Sequence, residues 1–322
     1  MNMNPTQDIN ISFKSYAARR KHELSAHIVN GVPDYSFSMD YAIRQKINAI
    51  PGMFQLFKAI TSHMVPFQRQ KLNMECVAAG PQQYPELHAM GEECAKRLGI
   101  GVPQIFVKYD VKINAYAFAT EDSTPVIMVT SAIVENFTKA ELKAIIGHEC
   151  GHIHNNHTIY KMAAGIVTGT ITEGLHLIPG LKQMVSLLSL GAKWLLLNWS
   201  RCAEITCDRA GLICADSLDD AVKAIAKFGF GGVKALEHIN INEYIKQIEQ
   251  MQATPVRYME LESTHPLTPK RLLAFKIFNQ CDVLYSWRPD WKTSDMDLFS
   301  KEEADKKCES FISVTSKKMN VK

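Results

Sequence analysis

The chain has 322 residues, enough for one or two domains, and its 46% apolar residues suffice for a sizeable core. A net charge of +3 is too small to predict nucleic-acid binding, and no concentrated basic stretch favours it. The eight cysteines form no Cys-x-x-Cys pair, which is typical of reduced thiols in a cytosol. Residues 1–23 lack the apolar core of a signal peptide, so we expect a cytoplasmic protein.

Residues 1–70 are predicted to form a helical, peripheral N-terminal segment that carries no chemical motif. Apolar and basic residues alternate from Tyr35 to Ile50, and Pro51 then breaks the pattern. A second helix with one apolar side is predicted from Met53 to Met64, ending before Pro66 because proline lacks a backbone N–H. The segment either covers an active-site cleft or braces the fold.

Residues 71–280 contain the recognisable motifs and are predicted to form the main domain. A helix from Tyr84 to Leu98 ends at a glycine, and an apolar run from Val102 to Val107 begins a small sheet. Phe228 to Gly232 is glycine-rich, but no Gly-Lys-Ser/Thr follows, so a turn is predicted rather than a phosphate loop. Residues 281–322 are predicted to be a polar C-terminal tail, loosely held or ending in a surface helix.

The stretch AIIGHECGHIHNNH, residues 144–157, contains four histidines and one glutamate. Upstream of it, Thr138 with Glu141 three residues later forms a capping-box pattern, which predicts a helix start. Side chains four positions apart on a helix lie about 40° from each other around the axis, so His148 and His152 share one face. Two imidazoles at this spacing can bind one metal ion, and neutral histidine is a preferred zinc ligand.

Glu149 lies beside the first histidine, too far around the helix to be an obvious third ligand. It can reach a metal-bound water and accept its proton as a general base. His154 and His157 point away from the pair. An exposed polar position explains His154, whereas His157 is expected to pack or to support a ligand. The alternative, a histidine-rich surface helix, is disfavoured because the glutamate and the cap both agree with a metal pair.

A catalytic zinc ion needs a third protein ligand and one open coordination position. The best candidate lies in WSRCAEITCDRAGL, residues 199–212, a predicted helix with Glu204 and Asp208 one turn apart. Glu204 could bind the ion, while Asp208 could accept the free N–H of a ligand imidazole. By itself a Glu-x-x-x-Asp pair is a weak signal, since such pairs are common on solvated helix faces.

Together these motifs resemble the M48 family of zinc metallopeptidases, which includes HtpX-like, Oma1-like and Ste24-like proteases. The resemblance extends over roughly residues 75 to 280, with matching segments in the expected order. In chain order these segments are NAYAF, PVIMVT, ELKAIIGHECGHIHNNH, SRCAEITCDRAGL and STHPLTPKRL.

The resemblance implies one zinc ion per chain, with three ligands and a general base. The implied ligands are His148, His152 and Glu204, and the implied base is Glu149. His265 and Arg271 occupy positions that the family uses near the scissile carbonyl, where they would steady the oxyanion or grip the substrate backbone. The resemblance further implies that an extended polypeptide substrate pairs with the strand edge formed by Asn114, Ala115 and Tyr116.

The most apolar region runs from Met162 to Trp199, between the two motif helices. Charged residues interrupt it, and no run reaches the 18 or so residues needed to span a bilayer. We therefore expect a helical hairpin that packs beside the site and no transmembrane span. In an alternative interpretation, the apolar residues from Trp194 to Leu197 contact a membrane surface or a partner.

The sequence thus predicts a mostly helical α+β protein, a zincin-like metallopeptidase domain with a small edge β-sheet. The predicted function is a zinc-dependent endopeptidase. The alternative is a non-hydrolytic binding or regulatory module in which zinc merely holds the fold; Glu149 counts against it, because a structural zinc site needs no base. CAAX-type processing, known among M48 proteases, expects a membrane chamber that this chain has no segments to build.

Overall fold

The computed structural model describes residues 27–120, 123–169, 171, 190–230, 238–252 and 254–314, which are mostly helical. The helices are α1 Ser38–Asn48, α2 Met53–Glu75, α3 Pro85–Leu98, α4 Ser131–Asn136, α5 Lys139–His154, α6 Thr158–Thr168, α7 Leu190–Cys214, α8 Leu218–Phe230, α9 Ile241–Gln252, α10 Thr268–Phe278, α11 Asp282–Trp287 and α12 Lys301–Ile312. The strands are β1 Ile28–Val29, β2 Val32–Pro33, β3 Cys76–Ala78, β4 Gln104–Lys108, β5 Ala115–Thr120 and β6 Ser123–Thr130. Short 3-10 helices span Pro255–Glu262 and Pro289–Trp291. The predicted mostly helical α+β class is confirmed.

A four-stranded sheet in the order β3-β4-β6-β5 forms one layer of the fold. β4 and β6 are parallel in the centre, and the two edge strands are antiparallel to their neighbours. The central strand β6 is buried from Pro125 to Thr130, in keeping with its run of valine, isoleucine and methionine. β5 therefore lies at one edge of the sheet, and it also contacts α5.

The predicted capping box begins α5. The Thr138 hydroxyl accepts the backbone N–H of Glu141, and the Glu141 carboxylate accepts the N–H of Thr138 at 2.8 Å. From Glu141 to His154 every residue of α5 is buried, because α7, α8, α3 and β5 pack around it. A helix buried on all sides holds its side chains in fixed positions, which a metal site requires.

Three glycines allow α5 and α7 to pack at close range. A Cβ at Gly147 would overlap the side chain of Cys214, and one at Gly151 would lie 2.7 Å from the Cβ of Ala210. A Cβ at Gly211 would lie 2.9 Å from a backbone carbonyl of α5. Any larger side chain at these positions would push the helices apart. The small residues thus bring the histidine face of α5 against α7.

Two predicted element ends are wrong. α2 does not stop before Pro66 but continues to Glu75, because buried residues on both sides of the proline, among them Met64 and Leu72, bind the helix to the core. Their burial outweighs the backbone hydrogen bond that the proline removes. The predicted turn at Phe228 to Gly232 is helical as far as Phe230, since Gly229 leaves room for Thr268 to pack directly on α8. Residues 231–237 lie outside the described residues.

The segment between α6 and α7 was predicted to form a hairpin, but residues 172–189 lie outside the described residues. At the start of α7 Trp194 is 50% exposed, while Leu196, Leu197 and Trp199 are buried in the core. Of the helices in the described ranges, none combines the length and apolar character that a membrane span requires.

The N-terminal and C-terminal segments both pack on the central helices. α1 lies across α7, and α12 packs on α10 with Phe311 and Ile312 buried. An ion pair of 2.7 Å joins Arg209 Nη1 of α7 to Asp305 Oδ1 of α12. The division at residues 70 and 280 stays a prediction.

Candidate active site

His148, His152 and Glu204 converge in the centre of the fold. Their candidate ligand atoms all lie within 4.8 Å of one another, and all three residues are buried. His148 Nε2 is 3.4 Å from Glu204 Oε2, and His152 Nε2 is 3.5 Å from Glu204 Oε1. The two histidines come from one face of α5, and the glutamate faces them from α7.

The donor set fits a zinc ion. Two imidazole nitrogens and one carboxylate oxygen are the ligand types that a catalytic zinc site uses, and three protein ligands leave one position open. Burial raises the pKa of Glu204, but His265, Lys161 and the two histidines lower it by more, to well below its usual range. The buried carboxylate is therefore ionised, as a metal ligand must be.

Asp208 and Arg271 support His148 from behind. Asp208 Oδ1 lies 3.0 Å from His148 Nδ1, so the aspartate can accept the ring N–H that faces away from the candidate metal position. Arg271 donates from Nε to Asp208 Oδ2 at 2.9 Å and from Nη2 to Oδ1 at 2.5 Å. Burial lowers the pKa of His148, but hydrogen bonds with Asp208 and Glu204 raise it to about 9. The two carboxylates thus make this position favourable for a positive charge.

His157 supports the other histidine. Its Nδ1 lies 3.0 Å from Nδ1 of His152, and its Nε2 lies 3.0 Å from Oδ2 of Asp40 in α1. The sequence suggested packing or ligand support for His157, but it gave no sign of Asp40, which is 117 positions away.

The prediction that His154 is exposed is wrong. The side chain is fully buried, and its Nδ1 lies 3.0 Å from the hydroxyl of Tyr35. The chain segment before α1 covers the C-terminal end of α5, where Asn155 also donates to the Tyr35 hydroxyl at 3.1 Å. A sequence pattern within α5 could not reveal this cover, because it comes from a distant part of the chain.

Lys161 is a site residue that was not among those predicted from the sequence. Its Nζ lies 2.6 Å from Glu204 Oε1, and it comes from α6, one turn after His157. Burial lowers the pKa of Lys161, but Glu204 raises it by more, so the side chain is a cation beside the candidate ligand. A signal did exist: a lysine one turn after the last histidine, in an otherwise apolar helix.

The candidate ligands line a cleft of about 280 Å³, close to the lower end of the range for ligand-binding pockets. Glu149 and His265 line the same cleft. Burial raises the pKa of Glu149, and the charges of His148 and Lys161 offset only part of this. The predicted base is therefore in a setting that favours taking and returning a proton. The remaining predicted residues that line the cleft are Asn114, Ala115, Tyr116 and Arg271.

The edge of β5 faces this cleft with backbone groups. The backbone N–H of Thr130 donates to the carbonyl of Asn114, so these two residues form a hydrogen-bonded pair of the antiparallel ladder. Hydrogen-bonded and non-hydrogen-bonded pairs alternate along such a ladder. The N–H and C=O groups of Ala115 and Ala117 therefore point away from β6. Ala119, the next residue of this set, donates its N–H to Thr158 Oγ1 at 2.8 Å. Ala115 and Ala117 line the cleft, so their N–H and C=O groups are in reach of an extended ligand there.

A second group of potential ligands consists of His152, His157 and Cys207, all buried. The nitrogens that His152 and His157 turn toward each other already form a hydrogen bond. Burial and the neighbouring Glu204 raise the pKa of Cys207 well above its usual range, which disfavours the thiolate form that binds a metal ion. Neither His157 nor Cys207 lines the cleft. The first group is therefore the better candidate for a catalytic metal.

A buried His-x-x-x-His pair beside a glutamate from a second helix, opening on a cleft with a strand edge, is typical of metallopeptidases. The family model described as "Peptidase family M48" matches residues 81–277, more than half of the chain. The chain belongs to peptidase family M48, a family of zinc-dependent metalloproteases. The resemblance found in the sequence is thereby confirmed.

Known proteins that are similar to this chain include a chloroplast metallopeptidase and a protease HtpX homolog. The plastoglobule-localized metallopeptidase 48, chloroplastic, of Arabidopsis thaliana is 29% identical over 218 residues, 66% of this chain and 60% of that protein. A protease HtpX homolog of Sulfurihydrogenibium sp. is 25% identical over 224 residues, 59% of this chain and 73% of that protein. The structural match with the crystal structure of S. mikatae Ste24p covers 82% of this chain and 66% of the Ste24p chain, with 16% sequence identity and a TM-score of 0.42. The chain thus spans less than two thirds of the length of the Arabidopsis relative.

Proposed function

We propose that the protein is a zinc-dependent endopeptidase that hydrolyses peptide bonds in extended polypeptides. The observation that carries the proposal is the convergence of three buried metal-binding side chains with Glu149 on one cleft. His148 and His152 would hold one zinc ion per chain through Nε2, and Glu204 through a carboxylate oxygen. The ion would supply Lewis acidity and make a water molecule acidic enough to attack at neutral pH.

Glu149 acts as the general base and then as the acid. Its carboxylate takes a proton from the attacking water and returns it to the leaving amine. Because burial raises its pKa, the protonated form costs less than for an exposed glutamate. Glutamine at this position would keep the shape of the side chain but could not accept the proton.

His265 and Arg271 take different roles in this proposal. His265 Nε2 lies 3.5 Å from Glu204 Oε1 at the mouth of the cleft, where its side chain is half exposed and can donate to a developing oxyanion. The Arg271 guanidinium is engaged by Asp208 and lies 3.7 Å from Glu204. We therefore propose that Arg271 positions the carboxylates behind the ligands more than it grips the substrate.

The substrate binds along β5 as an added antiparallel strand. Backbone pairing with Ala115 and Ala117 would hold a polypeptide largely independently of its side chains. β5 is six residues long, so pairing can extend to both sides of the scissile bond, which favours an endopeptidase.

We also propose a cytoplasmic location. Peripheral membrane contact is the alternative, and the name of the plastoglobule-localized relative together with the exposed Trp194 favours it.

The test combines zinc content with cleavage of casein for the wild type and Glu149→Gln. Glu135→Gln, which changes an exposed glutamate on α4, is the matched control. The proposal expects one zinc per chain in all three proteins and cleavage in the wild type and the control only. Zinc without cleavage in any of them would favour the non-hydrolytic module. A wild type without zinc would contradict the proposal.

A further inference from the structure

Asp40 is a fully buried carboxylate in α1, outside the part of the chain that the family model matches. It accepts hydrogen bonds from Trp199 Nε1 at 2.8 Å and from Thr206 Oγ1 at 2.8 Å, both on α7. Arg44 Nε lies 3.3 Å from Oδ1 of Asp40, the oxygen that also accepts from Trp199. His157 Nε2 completes the set at 3.0 Å. A buried carboxylate with this many donors has a fixed position.

The chain of contacts from Asp40 to His152 has one arrangement of protons that suits a metal ligand. An ionised carboxylate only accepts, so His157 must carry its proton on Nε2. Nδ1 of His157 then accepts, and Nδ1 of His152, 3.0 Å away, must donate. This leaves Nε2 of His152 with its lone pair, on the side that faces Glu204. Each contact has one donor and one acceptor.

The negative charge on Asp40 is consistent with this placement of protons on His157 and His152. Burial raises the pKa of Asp40, but His157 and Arg44 lower it by more, so that it lies below its usual range. The ring of Trp199 also meets the His157 ring edge-on at 5.4 Å, which restricts rotation of the imidazole. α1 and α7 together therefore hold His157 in both position and tautomer.

We propose that Asp40 is a positioning residue that acts through His157 to fix the tautomer and ring orientation of His152 for metal binding. The N-terminal helix α1 is thereby a functional part of the metal site, and removing residues 1–70 would weaken it. The inference rests on the proposed function, because it takes His152 as a zinc ligand.

The experiment measures the zinc dissociation constant by competition with a chelator, for the wild type, Asp40→Asn and Ser36→Ala. Asparagine keeps the shape of the side chain, but its NH₂ group is a donor and cannot accept the hydrogen bonds that one carboxylate oxygen of Asp40 accepts. Ser36→Ala is the matched control. It removes a buried hydrogen bond of 2.6 Å between the N-terminal segment and Asn155, and it leaves the contacts from Asp40 through His157 to His152 in place. Asp40→Asn is expected to weaken zinc binding by about 10–100-fold, and Ser36→Ala to leave it unchanged.

A second pair of variants tests the hydrogen-bonded contacts between His157 and its two neighbours without altering Asp40, in case Asp40→Asn does not fold. In His157→Gln the amide can donate to Asp40 and accept from His152, whereas His157→Leu can do neither. The expected result is zinc binding close to wild type in His157→Gln and about 10–100-fold weaker binding in His157→Leu. The visible absorption of the cobalt-substituted proteins should change in His157→Leu and Asp40→Asn only.

The outcomes separate this inference from the proposed function. Normal zinc binding and an unchanged cobalt spectrum in both Asp40→Asn and His157→Leu would overturn the inference and leave the metallopeptidase proposal standing. Equal losses of zinc affinity in His157→Gln and His157→Leu would also overturn it. The affinity would then depend on the packing of the imidazole ring and not on which nitrogen carries the proton. A wild type that binds no zinc would overturn both.

Discussion

Nζ of Lys161 lies 2.6 Å from Oε1 of Glu204, so a partly buried cation faces the carboxylate that is the candidate third ligand. In the metal-free protein this hydrogen bond stabilises the buried negative charge, a contribution of about 1.5–3 kcal/mol for a bond to a charged group. In the zinc-loaded protein the ion would also compensate that charge. The lysine therefore matters most when the metal is absent.

Lys161→Met should lower the melting temperature of the metal-free protein more than that of the zinc-loaded protein. The stabilisation gained on adding zinc should accordingly be larger in the variant than in the wild type. Calorimetry with and without zinc measures both differences. Lys223→Met, which removes an exposed ion pair with Asp219, is the control and should change neither. An equal decrease in both states would contradict the assigned role.

Arg271→Lys should weaken both zinc binding and cleavage. The guanidinium binds Asp208 through two nitrogens, and a lysine ammonium cannot reproduce this paired geometry. Asp208 would then hold His148 less firmly, with an expected loss of about 10–100-fold in metal affinity. Chelator competition measures the affinity, and Lys276→Ala on the exposed side of α10 is the control. Unchanged affinity with lost cleavage would instead assign Arg271 directly to the substrate.

Ala117→Pro should raise KM for a polypeptide substrate and change kcat less. Proline removes a backbone N–H that faces the cleft, and edge strands tolerate it where that N–H is not part of the ladder. The loss of one hydrogen bond of about 1 kcal/mol corresponds to roughly a fivefold higher KM. Ala78→Pro, at the opposite edge of the sheet, is the matched control. The same KM in Ala117→Pro and wild type would argue against substrate pairing along β5.

The ion pair between Asp305 and Arg209 should make stability depend on acid pH. Burial raises the pKa of Asp305, but Arg209 and Lys301 lower it by more, so the folded pKa lies below the unfolded value of about 3.9. The contribution is therefore complete above the unfolded pKa and is lost as the pH falls through the folded pKa. Asp305→Asn should be less stable than wild type near pH 7 by about 3 kcal/mol, and the difference should shrink toward pH 3.

Urea unfolding at several pH values measures this difference. Asp290→Asn is the control, because its partner Arg288 forms an ion pair in which the aspartate is largely exposed. A difference between wild type and Asp305→Asn that stays constant from pH 7 to pH 3 would contradict the assignment.

The sequence predicted the parts of the site that depend on local pattern. The capping box at Thr138 and the four-residue spacing of His148 and His152 fix the helix and its metal-binding face within a few turns of chain. Glu204 and Asp208 became candidates through their place downstream of the histidine pair, and the family resemblance strengthened them, because a lone carboxylate pair on a helix is common. The segment PVIMVT, which forms most of β6, was identified only through the same resemblance.

The parts that the sequence did not predict depend on distant contacts. Asp40 carries no local signal, and its role follows from packing of α1 against α7. His154 has a polar side chain that Tyr35 covers from 119 positions away. The helix through Pro66 persists because of burial, which the proline itself does not indicate. In each case tertiary packing decided what the local pattern left open.

The central claim is that one zinc ion binds between α5 and α7 at the cleft. A crystal structure of zinc-loaded Glu149→Gln, with anomalous diffraction recorded at the zinc absorption edge, tests it most directly. The expected result is one anomalous peak at about 2.0–2.2 Å from His148 Nε2, His152 Nε2 and an oxygen of Glu204. A peak at the His152, His157 and Cys207 group instead, or no peak in the zinc-loaded protein, would contradict the account.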